Sequence, residues 1–251
     1  MSYNKEIHIT PLIKKTNLSF NEEIDHNYDD ENNKSGSDIE TQTNTYPLKI
    51  SMVGNSSVGK TSIVKRYFEN TFTNTTEASV NAMYYNKKIK IDAFTEAELQ
   101  VWDTMGQEKY RSLSKNYLIN ANGILVVFDL SDEKSFNDLN FWIEEINNVV
   151  EDKNVVKILV GNKSDIPEKK IENQKVLDYA NEHNMKYLSV SAKDGVNIEY
   201  LFEVIGVDCV KKIKNEQKRI EEEELNKNNN EESHNLSAIS KKGNKKRKQC
   251  C

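Results

Sequence analysis

Residues Leu48-Lys49-Ile50-Ser51-Met52-Val53 read as a strand that runs straight into Gly54-Asn55-Ser56-Ser57-Val58-Gly59-Lys60-Thr61, and a helical pattern follows from about Gly59 to Glu69. This order of strand, glycine-bounded loop and helix leaves few architectures open. It fits the pattern G-x-x-x-x-G-K-[ST] in the context that pattern requires. The glycines let the backbone wrap closely around phosphate oxygens. The loop amides and the helix N-terminus point partial positive charge at the ligand. Gly54, Asn55, Ser56, Ser57, Val58, Gly59, Lys60, Thr61 and Ser62 are therefore the candidate phosphate-binding residues. Lys60 can reach the β- and γ-phosphates, and the Thr61 hydroxyl can ligate Mg²⁺. A chance match is the bland reading, and the agreement of strand, loop and helix argues against it. The loop specifies a nucleotide and leaves the base open.

Two alternating segments, near Tyr84–Phe94 and Ala97–Trp102, suggest a hairpin. Apolar runs then recur at Gly123–Leu130, Val155–Val160 and Lys186–Val190, separated by helical segments. Short, fully apolar runs alternating with helices indicate an α/β fold with a parallel sheet covered on both faces. The last helix starts near Asn197, places Leu201, Val204 and Ile205 at helical spacing, and is expected to fray at Glu221–Glu224. No internal repeat is visible.

Asn162-Lys163-Ser164-Asp165 follows the run that ends at Gly161. In open α/β sheets, ligands sit at the carboxyl ends of such strands. The Asp165 carboxylate can accept the two donors on the guanine edge, a pair that adenine lacks. A site built to hydrogen-bond a group rejects an analogue without it by about 10⁴–10⁵. Ser191-Ala192-Lys193 sits after the next apolar strand, where its backbone amides can meet the guanine oxygen. An isolated N-K-x-D is more often a solvated turn. Its position after the phosphate loop, with Ser-Ala-Lys one strand further on, reverses that reading.

With these motifs in hand, the chain resembles the Ras-like small GTPases and, within them, the Rab branch. The motifs GNSSVGKT, WDTMGQE, NKSD and SAK stand in family order and spacing across residues 47–213. The runs Leu99–Leu113 and Tyr117–Leu130 look Rab-like, and the switch and helix wording is nearest the endosomal Rabs. The resemblance implies a P-loop NTPase fold with a six-stranded, mostly parallel sheet and helices on both faces. It implies a switch that binds GTP and GDP with Mg²⁺ and hydrolyses GTP slowly. Phe72 matches the aromatic that stacks on guanine. Ser79 matches the switch I threonine that completes the Mg²⁺ shell and senses the γ-phosphate. Asp103 matches the residue that holds the metal through water, Gly106 the switch II glycine whose amide faces the γ-phosphate, and Gln107 the residue that orients the attacking water. Lys60, Gly106 and Gln107 are thus the expected catalytic residues, and Thr61, Ser79 and Asp103 the expected metal residues. Tyr84, Trp102 and Tyr117 match an aromatic triad that meets effectors, with ordinary core packing as the bland alternative. The expected partners are an exchange factor, a GTPase-activating protein, a GDP-dissociation inhibitor, an escort protein and membrane-bound effectors. Nucleic acid is not among them, and a monomer is expected.

Three positions, Ser79, Asn81 and Met105, depart from the family pattern. Ser79 keeps the hydroxyl of the threonine it replaces. Asn81 stands for a glycine, which bears on loop geometry or effector choice. Met105 stands for an alanine close to the γ-phosphate and is expected to perturb switch II closure. Ser56 occupies a loop position that is glycine in Ras and a small residue in Rabs. A hydrolysis-impaired, GTP-binding platform is the alternative that Met105 and Asn81 motivate. An ATP-dependent enzyme is the second alternative, and Asp165 argues against it.

The 251 residues carry 30% charged and 36% hydrophobic side chains, polar for one globule and consistent with disordered segments joined to one domain. Residues 1–45 hold nine acids against four lysines, and residues 241–251 hold six bases and no acid. We expect an acidic, disordered extension over 1–45, a GTPase domain over 46–213 and a variable tail over 214–251. Three cysteines make no disulfide framework and favour a reducing compartment. Cys209 falls in an apolar helical stretch and reads as a buried, inert thiol. The N-terminus has no apolar leader core, and its Met-Ser-Tyr start lacks the glycine for myristoylation. The C-terminal Lys245-Lys246-Arg247-Lys248-Gln249-Cys250-Cys251 resembles the Rab double geranylgeranylation site. Stable anchoring takes two signals, which two prenyl groups provide. A nuclear localisation signal is the rival reading of the basic run. The expected location is the cytoplasmic face of endomembranes, endosomes or Golgi vesicles, with a cytosolic pool bound to the dissociation inhibitor.

Overall fold

The computed structural model describes residues 43–73, 83–103, 116–150 and 155–245. Ser79, Asn81, Met105, Gly106, Gln107, Cys250, Cys251 and residues 1–42 lie outside the described residues. The strands are β1 (Asn44–Val53), β2 (Met83–Asp92), β3 (Thr95–Asp103), β4 (Gly123–Asp129), β5 (Val156–Asn162) and β6 (Lys186–Ser189). The helices are α1 (Lys60–Glu69), α2 (Glu133–Asn137), α3 (Leu139–Val149), α4 (Asn173–Glu182) and α5 (Ile198–Lys245). One six-stranded sheet has the order β2-β3-β1-β4-β5-β6. Only β2 runs antiparallel to its neighbour.

β4 is buried along its whole length, as a strand covered on both faces must be. β3 alternates strictly between buried and half-buried residues, which marks a strand nearer the sheet edge. On one face Ile50, Val127 and Val160 pack against Ile63, Val64 and Tyr67 of α1 and Leu201, Phe202 and Ile205 of α5. On the other face Ile124, Val126 and Phe128 pack against Phe136 of α2, Leu139, Trp142 and Ile146 of α3 and Val176 of α4. β1 lies between β3 and β4, so the strand order reverses at its carboxyl end. That crevice is where open α/β sheets hold ligands.

Two boundaries differ from the sequence reading. β1 begins at Asn44 rather than Leu48, paired with Thr95 of β3. Its first residues are largely exposed, with Tyr46 packed in part against the core, and they form no apolar run. α5 does not stop at Glu221–Glu224 but continues to Lys245. The segment past Val210 presents mostly exposed side chains as far as Leu225. It is laced by Arg219–Glu216 at 2.6 Å, Lys218–Glu222 at 3.8 Å and Arg219–Glu223 at 3.9 Å, pairs that support a solvated helix. Among the described residues, no helix is long and apolar enough to cross a membrane.

Candidate nucleotide site

β1 ends in a loop whose glycines are required by what lies beside them. A Cβ added to Gly54 (φ 141°) would lie 2.1 Å from the Val127 carbonyl oxygen of β4. One added to Gly59 (φ 95°) would lie 2.3 Å from the Asn162 amide nitrogen. Ser57 also sits in the left-handed region, at φ 62°. Buried Lys60 donates from Nζ to the Gly54 and Asn55 carbonyls, both at 2.8 Å, so its ammonium is held against the loop. A desolvated ammonium favours an anion beside it. Val58 contributes its carbonyl here and buries its side chain in the core. The Asn55 side chain faces away from the ligand space. Its amide nitrogen donates to Asp138 Oδ2 at 2.8 Å, and its Oδ1 accepts from Trp142 Nε1 at 2.9 Å. This brace fixes the loop on the α2–α3 junction.

Asp103 ends β3 in register with Met52 of β1. It is fully buried, and neither carboxylate oxygen has a hydrogen-bond partner of good geometry among the described residues. Burial pushes its pKa up, while the nearby Thr61 hydroxyl and the charges of Lys60 and Lys65 pull it down. An orphaned buried carboxylate beside a hydroxyl, facing a phosphate loop, is a hard oxygen set of the kind Mg²⁺ shares with phosphates and water. The residues present fit that ion.

The second half of the site hangs from the carboxyl ends of β4, β5 and β6. Asn162 donates from Nδ2 to the Val58 carbonyl at 2.8 Å and accepts the Ala192 N–H on Oδ1 at 3.2 Å. Lys163, at φ 64°, pairs with Asp129 at 2.6 Å. Asp129 also accepts from the Ser131 amide at 2.8 Å and the Ser131 hydroxyl at 2.6 Å. Asp165 accepts from the Ser191 hydroxyl at 2.7 Å and stands 3.7 Å from Lys193 Nζ. Phe72, Ser62, Lys163, Asp165, Ala192 and Lys193 line a cavity of about 320 Å³, within the range of small-molecule pockets. Sequence motifs separated by about 100 residues thus meet around one cavity beside the phosphate loop.

Tyr84 and Trp102 pack with ring centroids 5.1 Å apart, and Trp102 and Tyr117 with centroids 5.8 Å apart. Tyr84 is 48% exposed and the other two are half-buried, so the triad is a surface stack rather than core packing. Three contributors to the site carried no motif signal, among them Arg66, which donates to the Ala192 carbonyl at 2.8 Å. Asp129 could have been found as an acid closing a fully apolar strand next to the Asn162 strand. Arg66 and Trp142 act across long sequence separations and had no local signature.

Residues 49–213 match the family model described as the Ras family. The chain belongs to the Ras family. This Ras-family chain is 35% identical over 158 residues to the GTP-binding protein YPT1 of Saccharomyces cerevisiae, covering 62% of this chain and 76% of that protein. It is 37% identical over 156 residues to the Ras-related protein RabG2 of Dictyostelium discoideum, covering 62% of this chain and 78% of that protein. It is a Rab-like small GTPase.

Proposed function

We propose that this GTPase holds GTP and GDP with the phosphates in the loop Gly54–Thr61 and the base in the cavity between Phe72, Asp165 and Ala192. The observation that carries this reading is Asp165, a largely buried carboxylate facing that cavity and fixed by the Ser191 hydroxyl at 2.7 Å. Such an acceptor suits the paired donors of guanine and repels the acceptor edge of a base without them. Thr61 and Asp103 hold Mg²⁺ together with Ser79, and the ion supplies charge neutralisation at the phosphates. Lys60 binds the β- and γ-phosphates. Gly106 offers its amide to the γ-phosphate, and Gln107 orients the attacking water. Positioning and charge stabilisation do the chemical work, and loss of the γ-phosphate releases the loops around Ser79 and Gly106. Residues 70–81 contain no arginine to act as a finger in cis, so an activating protein supplies it. Intrinsic turnover is then of order 10⁻⁴–10⁻³ s⁻¹.

The role is recruitment of effectors in vesicle-mediated membrane traffic. The surface stack of Tyr84, Trp102 and Tyr117 meets those effectors. The domain, which takes in β1 from Asn44, lies in the chain between the N-terminal extension and a tail over 214–251, whose basic run and prenylated Cys250 and Cys251 anchor it to the cytoplasmic face of endomembranes. An exchange factor, a GDP-dissociation inhibitor and an escort protein complete the cycle.

The test is Asp165→Asn. An amide offers a donor where the carboxylate offers an acceptor, so the variant should lose GDP affinity and gain affinity for xanthosine diphosphate, whose C2 carbonyl accepts. Competition against a fluorescent GDP analogue reads both. Undiminished GDP binding in the variant would remove Asp165 from the base site.

A further inference from the structure

Arg66 stands on the last turn of α1, six residues beyond Lys60, and its guanidinium reaches both walls of the base cavity. Its Nε donates to the Ala192 carbonyl at 2.8 Å, and Nη2 donates to the Lys193 carbonyl at 2.7 Å. On the other side Nη1 donates to the Asn70 carbonyl at 3.3 Å and to Asn70 Oδ1 at 3.2 Å. The guanidinium carbon lies 6.0 Å from the centroid of the Phe72 ring. Asn70 closes α1 in the left-handed conformation, φ 52°, and Phe72 follows two residues later. One planar cation therefore ties the Ser191–Lys193 loop to the segment that carries Phe72.

The geometry bears on where donors point. A trans peptide sets its N–H opposite its carbonyl. Holding the Ala192 carbonyl on Arg66 fixes the Ala192–Lys193 peptide plane and turns the Lys193 N–H away from the guanidinium. The preceding N–H, of Ala192, is held by Asn162 Oδ1. Arginine suits this position, because its donors form a rigid fork. Lysine would keep the charge and lose the fork. A helix C-cap alone would engage Asn70 and leave Nε and Nη2 free of the distant loop.

We propose that Arg66 is a positioning residue for the base. It fixes the backbone of Ala192 and Lys193 so that the Lys193 N–H meets the oxygen edge of a guanine, and it holds Phe72 at the opposite wall. Because Lys60 and Thr61 occupy the first turn of the same helix, α1 links the phosphate end of the ligand to the base end. This inference rests on the reading of the cavity as a guanine site.

The experiment measures release of GDP, 6-thioguanosine diphosphate and inosine diphosphate from the full chain, comparing the unaltered protein with Arg66→Lys and Arg66→Gln. The thio analogue puts a weaker acceptor where the Lys193 N–H meets the base, and inosine lacks only the amino group that Asp165 meets. The unaltered protein should release the thio analogue about tenfold faster than GDP, the worth of one good hydrogen bond. Both variants should release GDP about tenfold faster and lose most of the GDP preference over the thio analogue, while keeping the preference over inosine diphosphate. Melting in saturating GDP separates folding from positioning: a lowered midpoint with all three release ratios unchanged would overturn the proposal. Unchanged GDP release would overturn it too. If the unaltered protein fails to retain GDP at all, the guanine reading itself falls.

Discussion

The Asn162 side-chain amide donates to the Val58 carbonyl at 2.8 Å, joining the base motif to the phosphate loop across 104 residues of chain. Its oxygen takes the Ala192 N–H, so a single amide spans the phosphate loop and both base loops. Asn162→Ala leaves a carbonyl and an N–H buried without partners, at about 1–3 kcal/mol each. The variant should melt at a lower temperature and release GDP at least about tenfold faster. Thermal melts with and without GDP, together with release of a fluorescent GDP analogue, check both effects.

Gly59 and Gly195 separate backbone strain from steric conflict. Both have positive φ, 95° and 77°, but a Cβ on Gly59 would meet Asn162 at 2.3 Å, whereas one on Gly195 would first meet Arg66 Cδ at 3.8 Å. Gly59→Ala should purify with little or no bound nucleotide. Gly195→Ala should retain a full complement and lose about 1 kcal/mol of stability. Nucleotide-to-protein stoichiometry after gel filtration distinguishes them.

Trp142 reaches the phosphate loop through Asn55. Trp142→Phe keeps most of the buried ring and deletes the N–H that Asn55 Oδ1 accepts at 2.9 Å. The expected loss is about 1–3 kcal/mol, read as a lower urea midpoint at unchanged slope. A variant as stable as the parent would show that this brace contributes nothing.

Burial, with Asp208 adding to it, pushes the Cys209 thiol up to about 12, and burial together with Glu182 pushes the Tyr179 hydroxyl up to about 12. Both groups bind their proton more tightly in the folded state, so their contribution is complete below the unfolded values. It is lost as pH rises from about 9 for the thiol and about 10 for the phenol. Stability should therefore fall steadily above pH 9. In a Cys250→Ser, Cys251→Ser protein, the remaining thiol should react with Ellman's reagent only on unfolding.

What the sequence disclosed was whatever is encoded in contiguous runs. Gly54–Thr61 and Asn162–Asp165 each follow an apolar strand, so strand, loop and ligand role could be read together. The start of β1 at Asn44 was hidden because its first residues pair with β3 while staying largely exposed. The run of α5 past Val210 was hidden because its side chains are mostly exposed as far as Leu225, where i,i+3 and i,i+4 charge pairs between Glu216 and Glu223 replace an apolar stripe. Arg66 lies 126 residues before the Ala192 carbonyl it holds, and no periodicity or spacing announces such a contact. Phe72 and Asp165 were legible one at a time, and the fold supplied their convergence on one cavity.

The most direct test of the guanine site is to denature the purified protein and identify the released nucleotide by chromatography. The arrangement of Asp165, Ala192 and the phosphate loop predicts GDP or GTP in near one-to-one ratio with the chain. Release of ADP or ATP would contradict it.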